Sequence, residues 1–151
     1  MKFLVLEGPN LDGVGRREPE IYGDEKRSEA LARLVKWAKE KGWELVLEQE
    51  GDEAALVACL AEAKEKGFVG VLFNPGAFSH ASLALRDGAK GTALPLVEAH
   101  LSAIHGRREA WRRKLVVAGA GHPVISGMGY LGYQLGICAL VCLVKDGAFR
   151  P

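Results

Sequence analysis

Short apolar runs alternate along this chain with longer stretches in which apolar residues recur every three or four positions. Residues 3–6 form the first run and predict a buried strand. Within residues 28–41, Leu31, Leu34, Val35 and Ala38 fall on one helical face, and Gly42 supplies a stop. Residues 43–47 predict a second strand, and residues 53–66 a helix with Leu56, Cys59, Leu60 and Ala63 on one face, ended by Gly67. Further strands are expected at 69–73, 96–100 and 124–126, with short helices at 82–90 and around 107–113 and a largely apolar helix at 128–143. Residues 8–24, rich in Gly, Pro and charge, read as a long loop.

This strand–helix rhythm implies right-handed crossovers and a parallel sheet with helices on both faces. Five strands in 151 residues predict an α/β fold, a flavodoxin-like three-layer sandwich with a five-stranded parallel sheet. No repeat, linker or low-complexity segment divides the chain, so residues 1–151 are read as one domain. Ligands bind such sheets beyond the carboxyl ends of the strands, which directs attention to the loops after strands one, three and four.

Composition narrows the choice of partner. Twenty Lys and Arg against 19 Asp and Glu leave a net charge of +1, which argues against a general nucleic-acid or membrane-surface binder. The balance is uneven: residues 1–75 carry 11 basic and 15 acidic side chains (−4), and residues 76–151 carry 9 and 4 (+5). Arg107, Arg108, Arg112, Arg113 and Lys114 cluster in the second half, in number suited to a small anionic ligand or a subunit contact, or simply to a solvated basic turn. Glycine is in excess, 19 of 151 residues or about 13% against a usual ~7%, and marks tight loops. Cys59, Cys138 and Cys142 lack metal-site spacing and read as buried free thiols in a reducing cytoplasm. The apolar run that meets Glu7 is too short for a signal peptide or membrane span.

Three loops carry the candidate chemistry. The first, residues 8–24, is longer than a strand–helix connection needs, and its glycines and prolines suit a closing lid. Tyr22 within it is a poor base as a phenol, but Arg16 or Arg17 nearby would favour the phenolate; a surface tyrosine packed on its own loop is the competing reading. In the second, Asn74-Pro75-Gly76-Ala77-Phe78-Ser79-His80-Ala81-Ser82, Asn74, His80 and Ser82 offer hydrogen bonds to a ligand, or Asn74 and Ser79 only turn and cap the chain. In the third, Glu98 and His100 are two apart and face the same side of a strand. A carboxylate beside an imidazole orients it and favours its protonated form, which suits a general acid. Backbone N–H groups at Leu101 and Ser102 are placed to bind a carboxylate.

Gly127-Met128-Gly129-Tyr130-Leu131-Gly132 matches a dinucleotide fingerprint, but that motif needs a further strand and an acidic residue about 20 positions on. Only 19 residues follow Gly132, so these glycines are read as close helix–sheet or subunit packing.

Taken in order, the loops resemble the type II 3-dehydroquinate dehydratases. The resemblance rests on Gly8-Pro9-Asn10-Leu11, Arg17-Glu18-Pro19, Ile21-Tyr22-Gly23, Asn74-Pro75-Gly76-Ala77, Ser79-His80, Ala84-Leu85-Arg86-Asp87, Glu98-Ala99-His100-Leu101-Ser102, Gly127-Met128-Gly129 and Gly132-Tyr133. It implies a cytoplasmic shikimate-pathway lyase that uses no metal or cofactor and assembles as a dodecamer of trimers. The implied reaction is dehydration of 3-dehydroquinate to 3-dehydroshikimate, by trans elimination through an enolate. By resemblance, Tyr22 is the base, Arg17 holds it as phenolate, Asn10 fixes a water at the enolate oxygen, His100 is the acid and Glu98 orients it. Leu101 and Ser102 would bind the substrate carboxylate, and Asn74, His80 and Arg112 the ring hydroxyls. Asp87 would reach in from a neighbouring subunit. The chain departs from the family pattern at Asp12, at Ala103-Ile104 and across Lys114-Leu115-Val116-Val117-Ala118. The competing function is a non-catalytic flavodoxin-like ligand-binding module, in which Tyr22, His100 and Glu98 would have no reason to converge.

Overall fold

The computed structural model describes residues 1–11 and 26–147. In chain order these form β1 (Lys2–Glu7), α1 (Arg27–Glu40), β2 (Glu44–Gln49), α2 (Glu53–Glu62), β3 (Gly70–Asn74), α3 (Leu83–Gly91), β4 (Leu96–His100), β5 (Val124–Ser126) and α4 (Leu131–Asp146). Short 3-10 turns at Gly76–His80, Ile104–Gly106, Ala110–Arg113 and Val117–Ala120 fill the connections after β3 and β4. Of the loop expected at 8–24, residues 8–11 are described; Arg17 and Tyr22 lie outside the described residues.

All five strands pair in parallel in the order β2-β1-β3-β4-β5. In this order chain progression reverses between β1 and β3, the crevice where open α/β sheets bind ligands. Strand alternation divides the core in two. Phe3, Val5, Leu72, Val97 and Ala99 pack with Leu31 and Leu34 of α1 and Tyr133, Ile137 and Leu140 of α4. Leu4, Leu6, Val71, Phe73 and Leu96 pack with Leu56 and Leu60 of α2 and Leu85 and Ala89 of α3.

The register carries both faces to the carboxyl edge of the sheet. Glu7 and Asn74 are partners on the α1/α4 face, whereas Glu98 is the partner of Phe73 on the α2/α3 face. Buried polar residues thus end both faces, side by side, at the switch point.

Local chemistry places the helices. Asp52 caps α2 by accepting the Ala55 N–H, and Ser82 caps α3 by accepting the Leu85 N–H. Of the helix expected around 107–113, only the 3-10 turn Ala110–Arg113 forms. This segment has Trp111 as its one large apolar side chain, leaving no apolar stripe to hold a longer helix against the core. At Gly136, a glycine the motif did not include, an added Cβ would meet the Leu72 side chain at 2.3 Å, so α4 lies close on the sheet. Of the motif's own glycines, Gly132 faces Ile125 of β5 with ordinary contact room for a Cβ at 3.5 Å, Gly127 faces Ala103 at 3.1 Å, and a Cβ at Gly129 would meet nothing within 4 Å. The N–H groups of Gly127 and Gly129 donate to the carbonyls of His100 and Leu101 at 3.2 and 3.0 Å. They bind the turn after β5 to the loop after β4 and do not form a phosphate cradle. The three cysteines are free, but none is buried as expected: Cys59 and Cys138 are half-buried and Cys142 is exposed. Burial, with Glu48 alongside, pushes the Cys59 thiol up to about 11.

Candidate active site

Every residue of β4 is buried, and Glu98 and His100 share one side of it, as their spacing predicts. Glu98 Oε1 accepts the Nε2–H of His100 at 2.6 Å and the hydroxyl of Ser79. Its Oε2 accepts the Nε2–H of His122 at 2.9 Å, and the His122 side chain is nearly as buried as that of His100. An ionised carboxylate only accepts, so all three neighbours donate. Burial works against the Glu98 anion, but the hydrogen bonds from His100 and His122, the His100 charge and the Ser79 bond outweigh it and hold the carboxyl at about 2. One consequence is chemical: with His100 Nε2–H committed to Glu98, the proton that His100 can give or take sits on Nδ1. Among the described residues that nitrogen has no hydrogen-bond partner.

A second cluster stands beyond β3 and β4. His80 donates Nδ1–H to the Lys114 carbonyl at 2.8 Å and accepts Arg107 Nη1–H at Nε2, 2.6 Å away. Burial lowers the His80 pKa and the adjacent Arg107 charge adds to this, against the opposing Lys114 bond, so the imidazole is neutral. The bond to His80 joins the loops after β3 and β4, and Arg107 also donates to Ser102 Oγ at 2.9 Å within its own loop. Trp111 packs edge-on against His80, with ring centroids 5.8 Å apart.

A third network lies on the opposite face of the sheet. Glu7, the last residue of β1, is buried; its Oε2 accepts Arg27 Nε–H at 2.8 Å and Nη2–H at 2.5 Å. The Tyr133 hydroxyl donates to Glu7 Oε1 at 2.7 Å and accepts Asn74 Nδ2–H at 2.8 Å. Asn74 Oδ1 accepts the Gly76 N–H at 3.2 Å.

The loop after β1 starts directly against the loop after β3. Gly8 donates its N–H to the Asn74 carbonyl at 2.7 Å, and a Cβ at Gly8 would lie 2.5 Å from the Pro75 oxygen, so only glycine fits. Asn10 follows, exposed and at φ 66°, a conformation Asn tolerates better than most residues.

The structure therefore brings Glu98 and His100 together, and links His80 to Ser102 through Arg107. Leu101 and Ser102 are buried just past β4. Asn74 closes β3. Arg112 joins the second cluster through its backbone, its carbonyl accepting Arg107 Nη1–H at 3.3 Å, while its side chain pairs with Glu109 at 3.7 Å. Asp87 stands apart from these contacts, exposed on α3 and hydrogen-bonded to Arg86. Among the described residues no group of three or more His, Cys, Asp or Glu is arranged to hold a metal ion.

The sequence profile of the family described as Dehydroquinase class II matches residues 1–141. The chain belongs to the class II dehydroquinases. Within that family it is similar to a 3-dehydroquinate dehydratase of Desulforudis audaxviator, 47% identical over 148 residues and 97% of each chain. It is also 41% identical over 144 residues to a 3-dehydroquinate dehydratase of Thermus thermophilus, covering 95% of this chain and 96% of that one. Among solved structures, the type II dehydroquinase of Butyrivibrio crossotus superposes with a TM-score of 0.88 at 34% identity, covering 93% of this chain and 97% of the other. The enzyme of Propionibacterium acnes gives 0.84 at 35% identity, covering 96% and 97%. The flavodoxin-like dehydroquinase fold is thus the fold of this chain.

Sequence reasoning gave no role to His122, Glu7 or Tyr133, placed Arg107 only within a basic cluster suited to a small anionic ligand, a subunit contact or a solvated turn, and gave Ser79 only a turn-forming role. Glu7 carried the same signal as Glu98, a charge at the end of an apolar parallel strand. His122 carried none, because only the β4–β5 register brings it to Glu98.

Proposed function

We propose that this protein is a hydro-lyase that removes water from 3-dehydroquinate to give 3-dehydroshikimate, in the shikimate pathway of aromatic amino-acid biosynthesis. The observation that carries the reading is the Glu98–His100 couple, buried at the carboxyl end of β4 in a chain of the class II family. In the trans elimination a base takes the proton from the carbon next to the ketone, and the electron pair moves into an enolate. The enolate then re-forms the ketone as the C–O bond on the neighbouring carbon breaks, leaving a conjugated enone. His100 gives its Nδ1 proton to the departing hydroxyl, which leaves as water. Glu98 stays ionised beside it, as the counter-charge to the imidazolium that donates.

Tyr22 is the base in this account, held as phenolate by Arg17. Asn10, beside the switch point, fixes the water at the enolate oxygen. Leu101 and Ser102 take the carboxylate, and Arg107 adds a guanidinium beside Ser102. Asn74, His80 and Arg112 hold the ring hydroxyls, with Asp87 supplied by a neighbouring subunit of a trimer-based dodecamer. The exposure of Asp87 on α3 is consistent with service to another copy. Proton removal beside a ketone and loss of hydroxide are within the reach of a base, an acid and fixed dipoles, so the reading includes no metal or cofactor. No helix among the described residues is long and apolar enough to cross a membrane, and we place the enzyme in the cytoplasm with the rest of a biosynthetic route.

The test is the purified protein mixed with 3-dehydroquinate and followed by ultraviolet absorbance of the conjugated enone. The expected result is a steady rise that depends on enzyme concentration and survives chelation of metals. A flat trace across the neutral pH range overturns the assignment. Light scattering on the same sample tests the assembly, and a monomer would remove Asp87 from the site.

A further inference from the structure

The network on the α1/α4 face has a direction, set by its chemistry. Glu7 as an anion can only accept. It is buried at the end of β1, and both its oxygens are engaged: Oε2 by Arg27 and Oε1 by the Tyr133 O–H. The single phenolic hydrogen is spent on Glu7, so the Tyr133 oxygen faces Asn74 only as an acceptor. Asn74 must then turn its NH2 end toward Tyr133, at 2.8 Å. At the other end of the amide the Gly76 N–H demands an acceptor and meets Oδ1 at 3.2 Å. Reversing the amide would set NH2 against N–H and Oδ1 against an oxygen with no hydrogen left to give.

We infer that Glu7 and Tyr133 are positioning residues, which fix the sense of the Asn74 carboxamide and so decide which hydrogen bonds it offers a substrate hydroxyl. Arg27 anchors the far end of the relay from the first residue of α1. The phenol keeps its proton: burial, and then the neighbouring Glu7 charge, push it well above its ordinary value. The remaining NH2 hydrogen and the second lone pair on Oδ1 are the valences left for a ligand. The side chains of the relay come from β1, β3, α1 and α4, so it spans the switch point and holds Asn74 rigidly while a loop alone would not.

This inference rests on reading Asn74 as a substrate-binding residue of the dehydratase. It is tested with Tyr133→Phe, which removes only the hydroxyl, and Glu7→Gln, which allows the phenol to point either way. With 3-dehydroquinate, each variant should raise KM roughly three- to tenfold with kcat little changed, as expected for loss of one oriented hydrogen bond. In an Asn74→Ala background, Tyr133→Phe should add nothing further to KM. A second readout does not depend on turnover: the Asn74 side-chain NH2 protons, seen by NMR in the unliganded protein, should be protected from solvent exchange and lose that protection in Tyr133→Phe. An unchanged KM in both variants, an equal Tyr133→Phe effect with and without Asn74, or unprotected Asn74 protons in the parent protein would overturn the inference. If the parent protein fails to turn over 3-dehydroquinate, the dehydratase reading fails, and the NMR measurement still decides the relay.

Discussion

Two buried carboxylates end neighbouring regions of the same sheet, and they differ in what surrounds them. Glu98, on the α2/α3 face, is bonded to two imidazoles and a serine hydroxyl. Glu7, on the α1/α4 face, is bonded to a guanidinium and a phenol. Imidazole is a side chain suited to exchanging protons in catalysis, whereas a guanidinium keeps its protons and burial beside Glu7 pushes the Tyr133 phenol well above its ordinary value. The first arrangement suits moving a proton; the second suits holding dipoles still. In the proposed reading one fold thus uses the same residue type, near the carboxyl ends of two strands, for chemistry on one face and geometry on the other.

The contrast is broken or sharpened most strongly at His100. His100→Asn should lower kcat by roughly 10²–10⁴-fold, the range for loss of a general acid, while substrate binding measured by calorimetry persists. Weakened binding with kcat retained would move His100 to the geometric side of the comparison.

Glu98→Gln should come next, with a kcat loss of roughly a hundredfold and a changed acid response. The folded-state pKa of Glu98 lies below its ordinary value of 4.5, at about 2, so its stabilisation is full above the ordinary value and is lost as pH falls through that window. Melting temperatures measured across that acid range should fall less steeply for the variant. An identical slope would mean that the carboxylate is not held as an anion by its donors.

A smaller effect is expected at His122. His122→Leu leaves Oε2 of a buried carboxylate without its donor, which typically costs about 1–3 kcal/mol. It should lower kcat roughly tenfold, and His122→Gln, which keeps an N–H at that reach, should recover most of the loss. Equal damage in both variants would reduce His122 to packing. The smallest change lies outside both networks: Asp52→Ala removes the α2 cap and should lower stability by about 1 kcal/mol in denaturant melts with kcat unaltered.

Much of this architecture was legible in the chain, and unevenly so. The strand at 96–100 fell where the pattern put it, because an apolar run in a parallel sheet is buried on both faces and bounded by breakers; the one at 124–126 also formed, as a short edge strand with Val124 exposed. The helical segment around 107–113 shrank to a short turn because its charges gave it nothing to bury. Glu98 and His100 were visible as a pair because strand alternation alone brings residues two apart to one side. Tyr133 and Glu7 are separated by 126 positions, and only the packing of α4 across the sheet joins them. His122 reaches Glu98 through strand pairing that no local pattern encodes. The local half of the site was therefore readable, and the half built by register and helix packing was not.

The division of labour between the two carboxylates is tested most directly by steady-state kinetics of Glu98→Gln and Glu7→Gln on 3-dehydroquinate, measured side by side. The account predicts a collapse of kcat with KM nearly unchanged for Glu98→Gln, and a raised KM with kcat nearly unchanged for Glu7→Gln. The same split in both variants, or the reverse one, would contradict it.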